Sequence, residues 1–367
     1  MAVLETPQQR RPAGTPAPRT RIAVLDGLRL VAALMVVAYH FIAYDRGTVL
    51  PWGAGAERVF PWLSLPASYG WLGVQLFFLI SGFVICLSAW GRTPGEFLRS
   101  RVIRLYPAYW AAALLTFAVL SLWPVVREPV GVSDLLVNLT MLQEPLGVRP
   151  VDAVYWTLWV EARFYLLFAI VVWRGLTPRS ATLFGYGWLV AAAVATQADV
   201  PALDVIVMPR HAPYFVAGIA LFLVHRGGGH VTLWALCGAA FLMAQHDVAG
   251  QVVHVSRDVL GRPLPVAPAL LLLAAIFAIM ALVATGRADR IRWRWLTVAG
   301  TLTYPLYLVH EYAGWTLIAA LHPHLPRYAT LAIVVAVVTA AAWLLHRYVE
   351  RPAAQLLRRH LTRPLPR

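Results

Sequence analysis

A handful of side chains in this sequence can move a proton or hold a charge inside an apolar environment, and they recur at helical spacings. Arg29 and His40 are eleven residues apart. At about 1.5 Å and 100° per residue, a helix carries them on nearly one face, about 16 Å apart along its axis. Imidazole titrates near neutral pH and can take a proton or act as a nucleophile. Arg101 and Arg104 are three apart and share a face. Two guanidiniums there suit a polyanionic ligand, because arginine contacts phosphate bidentately. Glu161 lies mid-way along an apolar run whose face holds Trp156, Thr157, Phe164 and Tyr165. A carboxylate at that depth must be paired, protonated or facing water. Arg163 points elsewhere, so the partner is sought on another helix, with Arg101, Arg104 and His40 as candidates. Tyr304, Tyr307 and His310 step by three along a further run that also carries Glu311.

Each feature has an ordinary reading beside the chemical one. Arg29 could snorkel to lipid phosphate, and Arg101 and Arg104 could anchor topology. His40 could be a satisfied core residue, Glu161 a structural ion pair, and His310 an interfacial anchor. Charged groups within apolar helices cost about 2.5–3.5 kcal/mol each on insertion scales, so their gathering on shared faces favours function. Ser81-Gly82 reads as a close-approach point between helices, since no Gly-x-Ser-x-Gly elbow surrounds Ser81. No zinc motif and no Walker A loop occurs, so no metal ligand set is expected and an ATP-driven pump is disfavoured.

Composition says what must position these residues. Of 367 residues, 60% are hydrophobic and 13% charged, with a mean hydropathy of +0.66. Soluble domains run at about 45–50% apolar and about 25% charged. A water-soluble enzyme, a collagen, a disulfide scaffold and a disordered chain are thereby excluded, and an integral membrane protein remains. The net charge is +14 and every basic residue is arginine. These arginines sit in short gaps between apolar runs, which argues against a nucleic-acid partner and for the positive-inside bias. Cys86 and Cys237 read as small core residues.

A membrane helix needs about 20 mainly apolar residues. Ten candidates follow: 28–44, 71–90, 105–126, 153–173, 181–196, 208–224, 231–245, 264–284, 295–316 and 328–349. The expected fold is an all-α polytopic transmembrane bundle of about ten helices in the plasma membrane. With a cytoplasmic N-terminus, 21 arginines fall on inside segments and 8 on outside loops, so both termini are expected to be cytoplasmic. Residues 1–21 read as a disordered Arg/Pro-rich tail, 22–350 as the transmembrane domain and 351–367 as a basic tail. The first 20 residues do not make a convincing signal peptide.

Several motifs together carry a resemblance. Leu25-Asp26-Gly27-Leu28-Arg29 running to His40, Phe77 to Phe83, and Arg101 to Arg104 with Leu105-Tyr106-Pro107 come first. Tyr155-Trp156-Thr157-Leu158 with Glu161, and Tyr304-Pro305-Leu306-Tyr307 with His310, follow. In that order they resemble the signatures of the acyltransferase 3 family of membrane-bound acyltransferases, over roughly residues 22–350. The resemblance implies transfer of an acyl group, commonly acetyl, from acyl-coenzyme A (acyl-CoA) to a sugar hydroxyl. Acceptors are then cell-envelope or exported glycans, or a macrolide or other glycosylated natural product. No bound cofactor is implied, and acyl-CoA serves as co-substrate. Many members carry a fused hydrolase-like domain, so a stand-alone form is expected here.

On this reading His40 is the base for the acceptor hydroxyl, or forms an acyl-His40 intermediate. Arg29, Arg101 and Arg104 hold the donor phosphates, Glu161 orients His40 or an arginine, and His310 and Tyr307 lie on the acceptor side. The partners are the donor, a glycan or glycosylated small molecule, and membrane lipid. The rival of another class is a secondary transporter or flippase, in which the buried Arg, His and Glu form a substrate path. It predicts repeated halves, and no internal repeat relates 1–180 to 181–367.

Overall fold

Inside hydrocarbon, backbone N–H and C=O groups have no water to bond, and a chain this apolar satisfies them within helices. The computed structural model describes residues 22–45, 50–198 and 200–361, and among these it holds helices and no strand. The helices that build the bundle are α1 (Ala23–Ala38), α2 (Leu72–Ala89), α3 (Pro94–Leu122), α4 (Trp156–Trp173) and α5 (Pro178–Ala198). They continue with α6 (Ala212–Gly227), α7 (Val231–His254), α8 (Val266–Ala284), α9 (Arg294–Val309) and α10 (Glu311–Leu321). The last two are α11 (Arg327–Leu345) and α12 (Arg351–Leu361). Nine helical stretches among the described residues are long and apolar enough to cross a membrane. The protein is a polytopic helical bundle.

The expected spans 105–126 and 295–316 differ most from the structure, and 231–245 runs on to His254. The third begins at Pro94, not 105, and ends at Leu122. Thr93 and Glu96 form a reciprocal capping box with Pro94 in the first turn, which starts the helix ahead of its arginines. Arg99, Arg101 and Arg104 therefore lie inside α3. The candidate 295–316 is two helices, α9 and α10, of 16 and 11 residues, parted at His310. Pro305 lacks an N–H for the ladder, and the new helix start is capped from outside, by Asp152 Oδ2 accepting from Tyr312 N at 3.4 Å. The expected tail 1–21 lies outside the described residues, and 351–361 of the expected basic tail form α12.

Ser81-Gly82 does lie where two helices meet closely. A Cβ on Gly82 would stand 2.2 Å from the Phe215 carbonyl oxygen, and one on Gly218 would stand 2.1 Å from that of Leu79. This glycine seam clamps α2 to α6. Gly218→Leu is expected to lower the thermal unfolding midpoint in detergent, since overpacking costs about 1–3 kcal/mol. Gly187→Ala, at a glycine with open space around it, should leave the midpoint unchanged or raise it. Equal midpoints for both variants would contradict the close contact.

Candidate active site

His40 sits where α1 ends in a π-helical turn, Tyr39–Ala43. Such turns release carbonyls from the regular ladder, and two indoles answer them. Trp315 Nε1 donates to the His40 carbonyl at 2.8 Å, and Trp52 Nε1 to that of Phe41 at 2.8 Å. Gly314 makes room for this turn, because a Cβ there would lie 2.4 Å from Phe41 Cζ.

The partners of the two imidazoles fix their tautomers. His310 is fully buried, and its Nδ1 lies 2.8 Å from the Tyr307 carbonyl oxygen. A carbonyl only accepts, so Nδ1 carries the hydrogen and Nε2 is bare. His40 Nδ1, 2.8 Å from that Nε2, must then be the donor. His40 Nε2 keeps a free lone pair, 4.0 Å from Glu311 Oε1. The His40 side chain is 11% exposed, enough to admit a reacting group.

A cavity of about 140 Å³ runs along α2 from Val74 to Ile85, a depth of about 16 Å at helical rise. Arg29, Arg101 and Arg104 stand at one end, and Phe77, Thr157 and Tyr307 line it toward the other. Tyr307 is held by Thr157 Oγ1 at 2.9 Å, and its ring lies 5.7 Å from that of His310. The histidine pair thus begins one helical turn beyond the cavity's Tyr307 end. In the middle, Ser81 Oγ donates to Glu161 Oε1 at 2.6 Å. At the arginine end Arg104 pairs with Glu350, which also meets His346 Nδ1 at 2.9 Å, and Arg29 meets Asp26 at 3.3 Å. Arg29 and Arg104 also line an adjoining cleft with His346 and Arg358. The cavity therefore runs from a cationic end to Tyr307, one helical turn short of the imidazole pair.

The sequence matches the family model Acyl_transf_3, described as an acyltransferase domain, over residues 22–347. The chain belongs to this acyltransferase family. Among curated relatives, the acyltransferase is 27% identical to "Acyltransferase MdmB" of Streptomyces mycarofaciens, over 92% of this chain and 93% of the relative. It is 37% identical to "Protein 2 in picA locus" of Rhizobium radiobacter over 32% of this chain and 56% of that protein. With "O-acetyltransferase OatA" of Staphylococcus aureus the identity is 28%, over 40% of this chain and 24% of the relative. The chain thus spans just over half of the picA-locus protein and about a quarter of OatA. No solved structure matches it.

In this acyltransferase five of the residues picked out by spacing, Arg29, Arg101, Arg104, Glu161 and Tyr307, line the cavity together. His40 and His310 do not line it and instead bond to each other. The expected partner of Glu161 was an arginine or His40, and the structure corrects this to Ser81. Ser81 on α2 meets Glu161 on α4 directly, while Arg104 is engaged by Glu350. Sequence reasoning passed over Glu350 and Asp152. Both are buried acids outside the motif-bearing runs, and only long-range packing reveals their partners. Among the described residues no cluster of three or more His, Cys, Asp and Glu side chains could hold a metal ion.

Proposed function

We propose that this membrane acyltransferase moves a short acyl group from acyl-CoA to a hydroxyl of a cell-envelope or exported carbohydrate, at the plasma membrane with both termini cytoplasmic. The observation that carries the reading is the bare His40 Nε2, which the His310 lock sets beyond a narrow cavity with three arginines at its far end. The donor phosphates bind Arg29, Arg101 and Arg104 at the cytoplasmic mouth, where guanidiniums match phosphate geometry. The thioester arm enters the cavity from its arginine end. The acceptor hydroxyl approaches from the His40 side.

Its proton passes to His40 Nε2 as its oxygen attacks the thioester carbon. The carbon–sulfur bond breaks, and His40 returns the proton to the departing thiolate. A thioester is already activated, so a base and bound charge are sufficient chemistry. The O-acetyltransferase name of one relative favours acetyl as the acyl group. A glycosylated natural product is the alternative acceptor class that the family resemblance implies.

Donor recognition is tested by coenzyme A binding to the purified protein. Arg101→Ala and Arg104→Ala are each expected to weaken it about tenfold, the loss of one charge-assisted contact of about 1.5–3 kcal/mol. Unchanged affinity in both would return these arginines to topology anchors. Acetyl-, propionyl- and longer acyl-CoA, offered with a panel of sugars and macrolide glycosides and read by product mass, would name the substrates. Turnover with long acyl chains alone would contradict the short-acyl reading.

A further inference from the structure

Two buried acids stand beside the histidine pair, and the chemistry above does not use them. Glu311 opens α10, and Asp152 ends the segment that leads into α4. They are 2% and 0% exposed and their carboxyls are hydrogen-bonded to each other. Asp152 is further engaged as an acceptor. Its Oδ1 takes Val154 N at 3.3 Å and its Oδ2 takes Tyr312 N at 3.4 Å. Glu311 Oε1 lies 4.0 Å from His40 Nε2, while Glu311 Oε2 is buried and finds no donor if both acids are ionised.

Two carboxylates in contact away from water cannot both carry charge. One proton between them removes the orphan oxygen and leaves a single negative charge. The surrounding groups fit that count. Arg127 lies 5.6 Å over the Tyr312 ring and donates to the Tyr312 hydroxyl, and the other titratable neighbours include His40, His310, Tyr307, Tyr312, Tyr155 and Tyr109. The guanidinium offsets the pair's negative charge at rest.

We propose that Asp152 and Glu311 share one proton and act as a unit whose negative charge supports the cationic form of His40 during acyl transfer. When the acceptor's proton reaches Nε2, the shared proton shifts toward Asp152 and the charge gathers on Glu311, the nearer acid. No proton is gained or lost by the pair, and His40 hands its own to the departing thiolate. Glu311 is a positioning residue here, acting through His40. The inference rests on the reading of His40 as the base.

The test compares Glu311→Gln, Asp152→Asn and the double variant with wild type and His40→Ala in purified full-length protein. Turnover is measured with acetyl-CoA and an accepted sugar, together with coenzyme A affinity. Asp152→Asn leaves the charge on Glu311 and should keep kcat within a few-fold. Glu311→Gln strands it on Asp152 and should lower kcat about tenfold, the change that one pKa unit represents, with donor KM unchanged. The double variant removes the charge and should fall further, and Glu311→Asp should recover part of the loss. Wild-type kcat in Glu311→Gln would overturn the proposal, and that single variant decides the matter should the double variant fail to fold. An inactive His40→Ala beside a fully active Glu311→Gln would leave the base standing and remove only the pair. A fully active His40→Ala would remove both.

Discussion

Replacing His40 with alanine is expected to lower kcat by about 10²–10⁴-fold, the usual contribution of a positioned general base, while coenzyme A affinity stays near that of wild type. The separation follows from geometry. His40 lies beyond the cavity that holds the three arginines and touches none of its lining except through His310 and Tyr307. Its removal should therefore spare donor binding and remove the lone pair that accepts the hydroxyl proton. The fold should survive, because the backbone of the π-helical turn is held by indole donors to main-chain carbonyls and not by the imidazole. Turnover within a few-fold of wild type would remove His40 as base.

His310→Ala should come close behind, with kcat reduced by about 10²-fold or more. Nothing in the geometry asks His310 to touch a substrate, since it is fully buried. Its task is to accept from His40 Nδ1 and so keep the proton off Nε2. Elsewhere, loss of the group that holds a catalytic imidazole in its tautomer costs about 10⁴ in kcat. His310→Gln offers an amide oxygen as acceptor and should restore part of the rate, whereas His310→Leu fills the space without an acceptor and should not. Equal activity in the Gln and Leu variants would show that the ring is packing alone. Rescue by the Gln variant would place His310 behind His40 and not on the acceptor side.

The parts of this site legible in the sequence were those governed by helical spacing. Arg101 and Arg104 share a face because three residues make nearly one turn, and both line the same cavity. Arg29 lies in the first half of α1 and His40 in the π-helical turn that follows it, eleven residues on. The glycine seam was readable from Ser81-Gly82, although its partner Gly218 was not.

What spacing could not give was pairing between distant segments. Glu161 takes its hydrogen bond from Ser81, 80 residues away, and Glu350 reaches Arg104 across 246. The helix break at His310 escaped for a related reason. The mainly apolar run from 295 to 316 looks like one span despite His310 and Glu311, and the Asp152 carboxylate arriving from another segment caps the second half. Early placement of the third helix at 105 gave hydropathy too much weight, when Thr93-Pro94 and Glu96 already marked its start.

The most direct test of the account is release of free thiol from acetyl-CoA by the purified wild-type protein, followed with and without an acceptor sugar. The account predicts release that depends on the acceptor, is matched by acylated product, and vanishes in His40→Ala. Failure of the wild-type protein to bind coenzyme A or to release thiol with any acceptor would contradict it.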